Sequence, residues 1–261
     1  MNARRLTWIL SFTSILLASG ASGGNLYASG DIGFGFLNGD VGGTTEGVVT
    51  FDNTGSDNDA SPIFGGTIGF EFPLDEALPW DIPLPGWMGE SFRMPSWTVR
   101  TELEGRYRLD SEFLTDGFSP ATPFRTEVSS WSVMHNLWMD FPVSPPISAL
   151  FGRVPLLEPM KIYTGVGLGL AGNTADTSDT VVRGSDTSYS FAYQFGGGLS
   201  YALTEWATIS LGYRYVDLGQ VDVSLEDAGS SAGNLTVDLT GHEIGTALRF
   251  NFYSIPLRGN R

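Results

Sequence analysis

Apolar and polar residues alternate with a period of two along most of this chain. The stretch WTVRTELEGRYRL shows it best. Trp97, Val99, Thr101, Leu103, Gly105, Tyr107 and Leu109 share one parity, and Thr98, Arg100, Glu102, Glu104, Arg106 and Arg108 share the other. Successive side chains of a strand point to opposite faces, so this pattern predicts a strand with one apolar and one strongly charged face. Seven more segments behave alike. Their apolar faces carry Ile32, Phe34 and Phe36 in the first segment and Ile68, Phe70 and Phe72 in the second. Trp131, Val133, Leu137, Met139 and Phe141 mark the fourth, and Ile162, Val166, Leu168 and Leu170 the fifth. Phe191, Tyr193, Phe195, Leu199 and Tyr201 form the sixth, Tyr213 and Tyr215 the seventh, and Ile244, Leu248, Phe250 and Phe252 the eighth. An even strand count suits antiparallel closure. The predicted fold is all-β, an eight-stranded antiparallel up-and-down transmembrane β-barrel.

The connections fall into two classes that alternate along the chain. Segments 38–61, 110–126, 171–188 and 217–238 hold 16 acidic and 2 basic residues, a balance of −14 out of −15 for the whole chain. Connections 73–95 and 142–160 are rich in Pro and apolar residues, and 202–206 is a tight turn. All four acidic segments therefore lie at one end of the sheet, an asymmetry that suits a membrane-crossing meander. Whether the runs GVVTF and VDVSL inside them extend the barrel as hairpins is left open by the pattern.

Residues 1–21 read as a signal peptide, with basic Arg4 and Arg5, an apolar run from Leu6 to Leu17 and small residues up to Ala21. Residues 22–261 are then the predicted β-barrel domain. A secreted soluble barrel would show the same alternation with its apolar face inward, so other features must choose. The chain has no cysteine, and 13 arginines stand against a single lysine, Lys161. A water-exposed polar face would use lysine freely, whereas arginine suits rigid, paired sites. Glycines such as Gly165, Gly167, Gly196, Gly198 and Gly212 fall on the polar parity, leaving room inside a narrow barrel for long charged side chains. Aromatics gather near strand ends, as interfacial girdles require. The predicted lipid-interface set is Phe72, Trp97, Tyr107, Phe141, Tyr201, Tyr213, Tyr215, Phe250 and Phe252.

The stretch SLGYRYVDLG then makes sense, with Tyr213 and Tyr215 facing lipid and Arg214 facing the axis. The predicted lumen network pairs the cations Arg100, Arg106, Arg214 and Arg249 with the anions Asp31, Glu71, Glu102, Glu104 and Glu243. Individual pairings do not follow from alternation.

The runs VMHNLWMDF, KIYTGVGLGLA, FAYQFGGGLSYALTEWATISLGYRY and HEIGTALRFNF resemble the outer-membrane β-barrel superfamily of Gram-negative bacteria, typified by the opacity/OmpA-like barrels and the P44/Msp2 surface antigens. The resemblance covers essentially all of 22–261 and implies a location in the cell outer membrane. Two departures stand out: Tyr253 to Arg261 continue past the terminal aromatic, and connections 73–95 and 142–160 are long for periplasmic turns.

Candidate chemistry is sparse. Hydrolysis needs a nucleophile, a base and an orienting acid. The only histidines are His135 and His242, each followed two residues later by an apolar residue, Leu137 and Ile244, rather than serine. His135 shares parity with Val133 and Leu137, which makes it an interface or lipid-facing residue. Asp52, Asp57 and Asp59 lack the spacing of a calcium loop. The glycines of GFGFLNGDVGG precede no helix, and an acidic chain does not suit nucleic acid. No catalytic, cofactor or metal site is predicted.

The expected role is a non-enzymatic surface or structural protein with a plugged lumen and four acidic extracellular loops. A narrow cation-preferring channel is the alternative, and a lipid A or phospholipid hydrolase a weaker one. Expected partners are outer-membrane lipid and lipopolysaccharide, the barrel-assembly machinery during biogenesis, and an extracellular ligand of the acidic loops. The purified protein is expected to need detergent to stay folded and to migrate faster on a gel before boiling than after. A chain that stays folded and dispersed in plain buffer would overturn the assignment of its apolar face to lipid.

Overall fold

The computed structural model describes residues 24–45, 49–55, 60–74, 81–82, 92–93, 97–119, 122–145, 147, 152–178, 182–227 and 230–255. Residues 1–21, read above as a signal peptide, and residues 256–261 lie outside them, as do Asp57 and Asp59. Eight strands form a ring: β1 (Gly24–Thr45), β3 (Ala60–Pro73), β6 (Thr98–Ser119), β7 (Thr122–Pro142), β8 (Met160–Ser178), β9 (Arg183–Ala202), β10 (Ala207–Asp227) and β11 (Ser230–Ile255). Each pairs antiparallel with its neighbours, and β1 pairs with β11 from Gly24↔Ile255 to Thr45↔Gly233, which closes the ring. A short β2 (Val49–Gly55) pairs with the end of β1, and β4 (Asp81–Ile82) pairs with β5 (Phe92–Arg93) in a separate ribbon. All eight predicted segments are barrel strands.

The ring is sheared. A line of paired residues runs from Tyr201 on β9 through Ile209, Leu248, Gly30, Gly66, Gly105, Val133 and Leu170, and returns to β9 at Phe191. One circuit thus climbs ten residues toward the end where the acidic segments lie. Such stagger accompanies strand tilt in any closed barrel.

Over the section between Tyr201 and Phe191 the apolar parity points outward. Ile32, Ile68, Leu103, Val166, Leu168, Phe195 and Leu211 are more than half exposed. Ten tilted residues span about 25 Å, the height of the apolar band of an outer-membrane barrel. With no water to satisfy a backbone edge in hydrocarbon, only a closed ring is allowed. The section is a bilayer belt, and the chain is an eight-stranded transmembrane β-barrel.

Beyond the belt the strands continue, which corrects the reading of 38–61, 110–126, 171–188 and 217–238 as connections. Most of their described residues are strand, including those of VDVSL and of GVVTF from Val49 onward. This extension is in water, and its pattern inverts. Leu37, Val41, Phe113, Val128, Val221, Val223, Leu225, Leu235, Val237 and Leu239 are buried inside, joined in one apolar cluster. On β6 and β10 the same parity serves lipid below and core above, because bulges between Arg108/Ser111 and Asp217/Gly219 turn the pleat over. Gly219 sits in the second bulge at φ +72, a conformation that favours glycine.

The extension also opens into two sheets. β9 and β10 share no ladder between Asp217↔Tyr193 and Glu226↔Arg183. Side chains close that gap: Ser190 donates to the Gln220 carbonyl at 2.8 Å, and Asp186 accepts from the Ser224 amide at 2.8 Å. On the far side, β2 pairs with β1 and has no ladder to β6 among the described residues. The sheets β6–β7–β8–β9 and β10–β11–β1–β2 bury the apolar cluster between them, as in a sandwich.

At the opposite end, the connection before β8 is clipped by Arg153, which donates to Glu158 at 2.5 Å and holds that carboxyl below its usual range.

The two environments predict opposite sensitivities. Leu103→Arg, on the lipid face, should destabilise the protein by about 2–4 kcal/mol in bilayers. Phe113→Ala, in the extension core, should cost about 3–5 kcal/mol. Urea unfolding in lipid vesicles measures both, and a tolerated Leu103→Arg would remove the belt.

Candidate functional site: the barrel lumen and its rim

Lumen-facing positions of the belt carry charge, and the structure brings all nine sequence-predicted residues there. At the turn end, Glu71 faces Arg249 at 3.2 Å and accepts from Asn25 at 3.1 Å. Arg249 lies over the ring of Tyr27, whose hydroxyl donates to Glu102 at 2.5 Å. Glu102 also accepts from the Trp138 indole at 2.9 Å and pairs with Arg100, which reaches Asp140 at 3.0 Å. Higher up, Arg106 meets Asp31 at 2.5 Å, Glu243 at 2.9 Å and Glu104 at 3.1 Å. Arg214 donates to Glu104 at 2.9 Å and to Gln194 at 3.1 Å.

Two charged members were absent from the predicted network. Arg108 is fully buried and bonds Glu243 at 2.7 Å and Ser132 at 3.0 Å. Asp140 is the partner of Arg100. Both share the polar parity of their strands, so alternation contained the signal. Tyr27 likewise shares the inward parity of Asp31 on β1, where pairing with β3 runs unbroken past it. With these additions five guanidiniums face six carboxylates, and Lys161, bonded to Thr98 at 3.1 Å, supplies a sixth cation at the turn end.

Buried charge is tolerated only when paired and hydrogen-bonded, and removing one partner strands the rest. Glu243 is the clearest hub, touching Arg106 and Arg108 with Arg214 at 3.9 Å. Glycines make the space. Gly33, Gly245, Gly212 and Gly198 are paired in one row across four strands. A Cβ on Gly212 would stand 2.2 Å from the Tyr163 hydroxyl, so glycine there lets that ring lie flat against the wall.

The network leaves a polar cavity of about 60 Å3, lined by Arg100, Arg106, Arg214, Glu102, Glu104 and Ser210 among others. That is room for a few waters. Toward the extension the axis is then occupied by the apolar cluster.

The predicted interface aromatics all lie outward. Tyr107, Tyr213, Phe250 and Phe252 are exposed, and Phe72, Trp97, Phe141, Tyr201 and Tyr215 are half-buried against neighbours. Trp97 meets Phe141 edge-on at 5.0 Å, and Phe250 stacks on Trp206, an exposed tryptophan missed by the strand pattern because it sits in a turn. Trp131 and Tyr189 pair at 6.0 Å at the other edge of the belt. Both histidines lie on this outer surface, each satisfied across a strand pair. His135 bonds the Thr101 hydroxyl at 2.8 Å, and His242 bonds the Tyr213 hydroxyl at 2.6 Å. Neither hydrogen bond includes a carboxylate. Among the described residues no cluster of three or more metal-ligating side chains occurs.

No protein-family model and no curated protein matches the chain. Solved structures resemble it in fold. Neisserial surface protein A is 15% identical, over 88% of this chain and 99% of that one, with a TM-score of 0.36. Ail, the attachment invasion locus protein of Yersinia pestis, is 13% identical over 87% and 99%, with a TM-score of 0.32. The outer membrane protein AlkL, solved in lipid bilayers, is 13% identical over 93% and 95%, with a TM-score of 0.42.

Replacing Glu243 with Ala should destabilise the barrel by about 3–5 kcal/mol, because up to three arginines lose an anion at once. Removing Arg108 together with Glu243 should restore part of that loss. Equal stability of Glu243→Ala and the wild type in urea titrations would show that the network contributes nothing.

Proposed function

We propose that this protein is a non-enzymatic outer-membrane surface protein of the opacity/OmpA-like and P44/Msp2 kind. Its belt anchors a rigid extension that carries acidic residues to the cell exterior. The chain termini and short turns face the periplasm. The observation that carries the reading is the double filling of the axis, first by ion pairs around Glu243 and Arg106 and then by the apolar cluster around Phe113 and Leu235. A transport route would need both to move. An anchor gains from both, since each stiffens the platform beneath the rim.

The rim is where recognition belongs on this reading, because segments held by a rigid scaffold can vary without loss of fold. Asp40, Asp176, Asp222, Glu226 and Asp238 are exposed on the extension. A cationic ligand or host surface is the matching partner, alongside outer-membrane lipid and lipopolysaccharide around the belt. Biogenesis passes through the barrel-assembly machinery.

Planar-bilayer recordings on the refolded protein test this directly. The wild type should give no reproducible single-channel steps, and Phe113→Ala should give none either while the charge layer is intact. Steady cation-selective steps from the wild type, abolished by Glu104→Gln, would replace the anchor with the narrow channel.

A further inference from the structure

The extension is almost without cations. Segments 38–61, 110–126, 171–188 and 217–238 contain 16 acidic and 2 basic residues, and the two basic ones are Arg125 and Arg183. They come from different segments, yet the fold sets them in one row. Arg125 on β7 pairs with Ser178 on β8, which pairs with Arg183 on β9. All three are exposed on the outer face. Neighbouring strands lie about 4.8 Å apart, which separates the two arginine backbones by about 10 Å. Arginine side chains are long enough for both guanidiniums to lean over Ser178 and meet one small group there.

The two are held differently. Arg125 donates through Nη2 to Glu112 at 2.6 Å and meets Glu127 with the same nitrogen at 3.2 Å. Glu112 and Glu127 face each other across β6 and β7, so the guanidinium between them is fixed while Nε and Nη1 keep hydrogens to donate. Arg183 has Glu226 as its cross-strand neighbour but forms no ion pair among the described residues.

The row opens on a cavity of about 710 Å3, within the size range of small-molecule sites. Among the residues lining it no side chain is apolar. Hydrocarbon ligands therefore have nothing to bury against. Polyanions would set their further charges against Glu127, Asp176, Asp186 and Glu226. The chemistry that fits is one carboxylate on a body of hydroxyls. Planar guanidiniums grip a carboxylate through paired N–H donors. The surrounding carboxylates accept from ligand hydroxyls, and Ser178, Ser185 and Ser224 can donate or accept.

We propose that this cavity binds a sugar acid, a ligand with a single carboxylate and several hydroxyls. The carboxylate lies over Ser178 between Arg125 and Arg183, and the hydroxyls donate to Asp176 and Glu226. The site is separate from the cationic partner proposed for the surrounding acidic rim, and it holds whether or not the lumen conducts. Two sources carry this chemistry: a terminal sugar acid on a glycan outside the cell, and the sugar acids of surrounding lipopolysaccharide.

Isothermal titration calorimetry of the refolded protein in lauryldimethylamine oxide, with sialyllactose and with ketodeoxyoctonate, tests it. Tighter binding of sialyllactose would identify the outside source, and tighter binding of ketodeoxyoctonate the lipopolysaccharide. Arg183→Gln should weaken the better ligand by about tenfold or more, the loss of a charge-assisted contact. Arg153→Gln, the same charge change at the turn end, should match the wild type. Lactose, which lacks the carboxylate, should bind more weakly than sialyllactose, and so should the polyanion sucrose octasulfate. Faster migration before boiling verifies that each variant is folded. No binding of either acid, unchanged binding by Arg183→Gln, or lactose or sucrose octasulfate binding as tightly as the sugar acid, would overturn the proposal.

Discussion

A backbone in hydrocarbon has nowhere to send its hydrogen bonds except to itself, and every other feature of this molecule follows from that constraint. An open sheet would leave two unpaired edges in lipid, so β1 must find β11. Closure with eight strands leaves an interior wide enough for side chains and little else. The interior must then be filled, and the outward face, already committed to lipid, cannot contribute. Filling falls to the alternate residues of each strand.

How they fill it depends on what surrounds the wall. Within the belt the outward face is apolar because lipid is, and the inward face carries charge. Arg106, Arg108 and Arg214 are paired there with Asp31, Glu104 and Glu243. In the extension, water takes the place of lipid and the logic of a soluble protein returns. Leu235, Val237 and Leu239 turn inward, while Asp238 between them faces solvent. One continuous strand such as β11 thus obeys two opposite rules, and the crossover lies between Leu239 and Glu243. Stacking a charged plug beneath an apolar one also explains the sandwich-like opening. Two packed sheets can bury small aliphatic side chains more completely than a round tube, at the cost of the β9–β10 ladder that Ser190 and Asp186 replace.

Much of the candidate site was readable as parity. Arg100, Glu102, Glu104 and Arg106 follow every second residue of one strand, so their common face needed no coordinates. Arg108 and Asp140 obeyed the same rule and could have been included. The switch at Phe36–Leu37, where the apolar parity moves from even to odd residues, was also written in the sequence. Its counterparts on β6 and β10 were hidden, because bulges there turn the strand over while the apolar residues keep their parity. Tyr27 follows the parity of Asp31 and reaches Glu102 from that face.

By itself the amino-acid sequence determined that eight strands alternate, that their charged faces belong together and that the acidic segments gather at one end. These are consequences of local spacing, since a strand's period is two wherever it lies. Only the tertiary structure decided which arginine meets which carboxylate, where the inward face changes from charge to hydrocarbon, and how the paired lines climb around the wall. Those depend on shear and bulges, which are properties of closing the whole ring and leave no mark on any one strand.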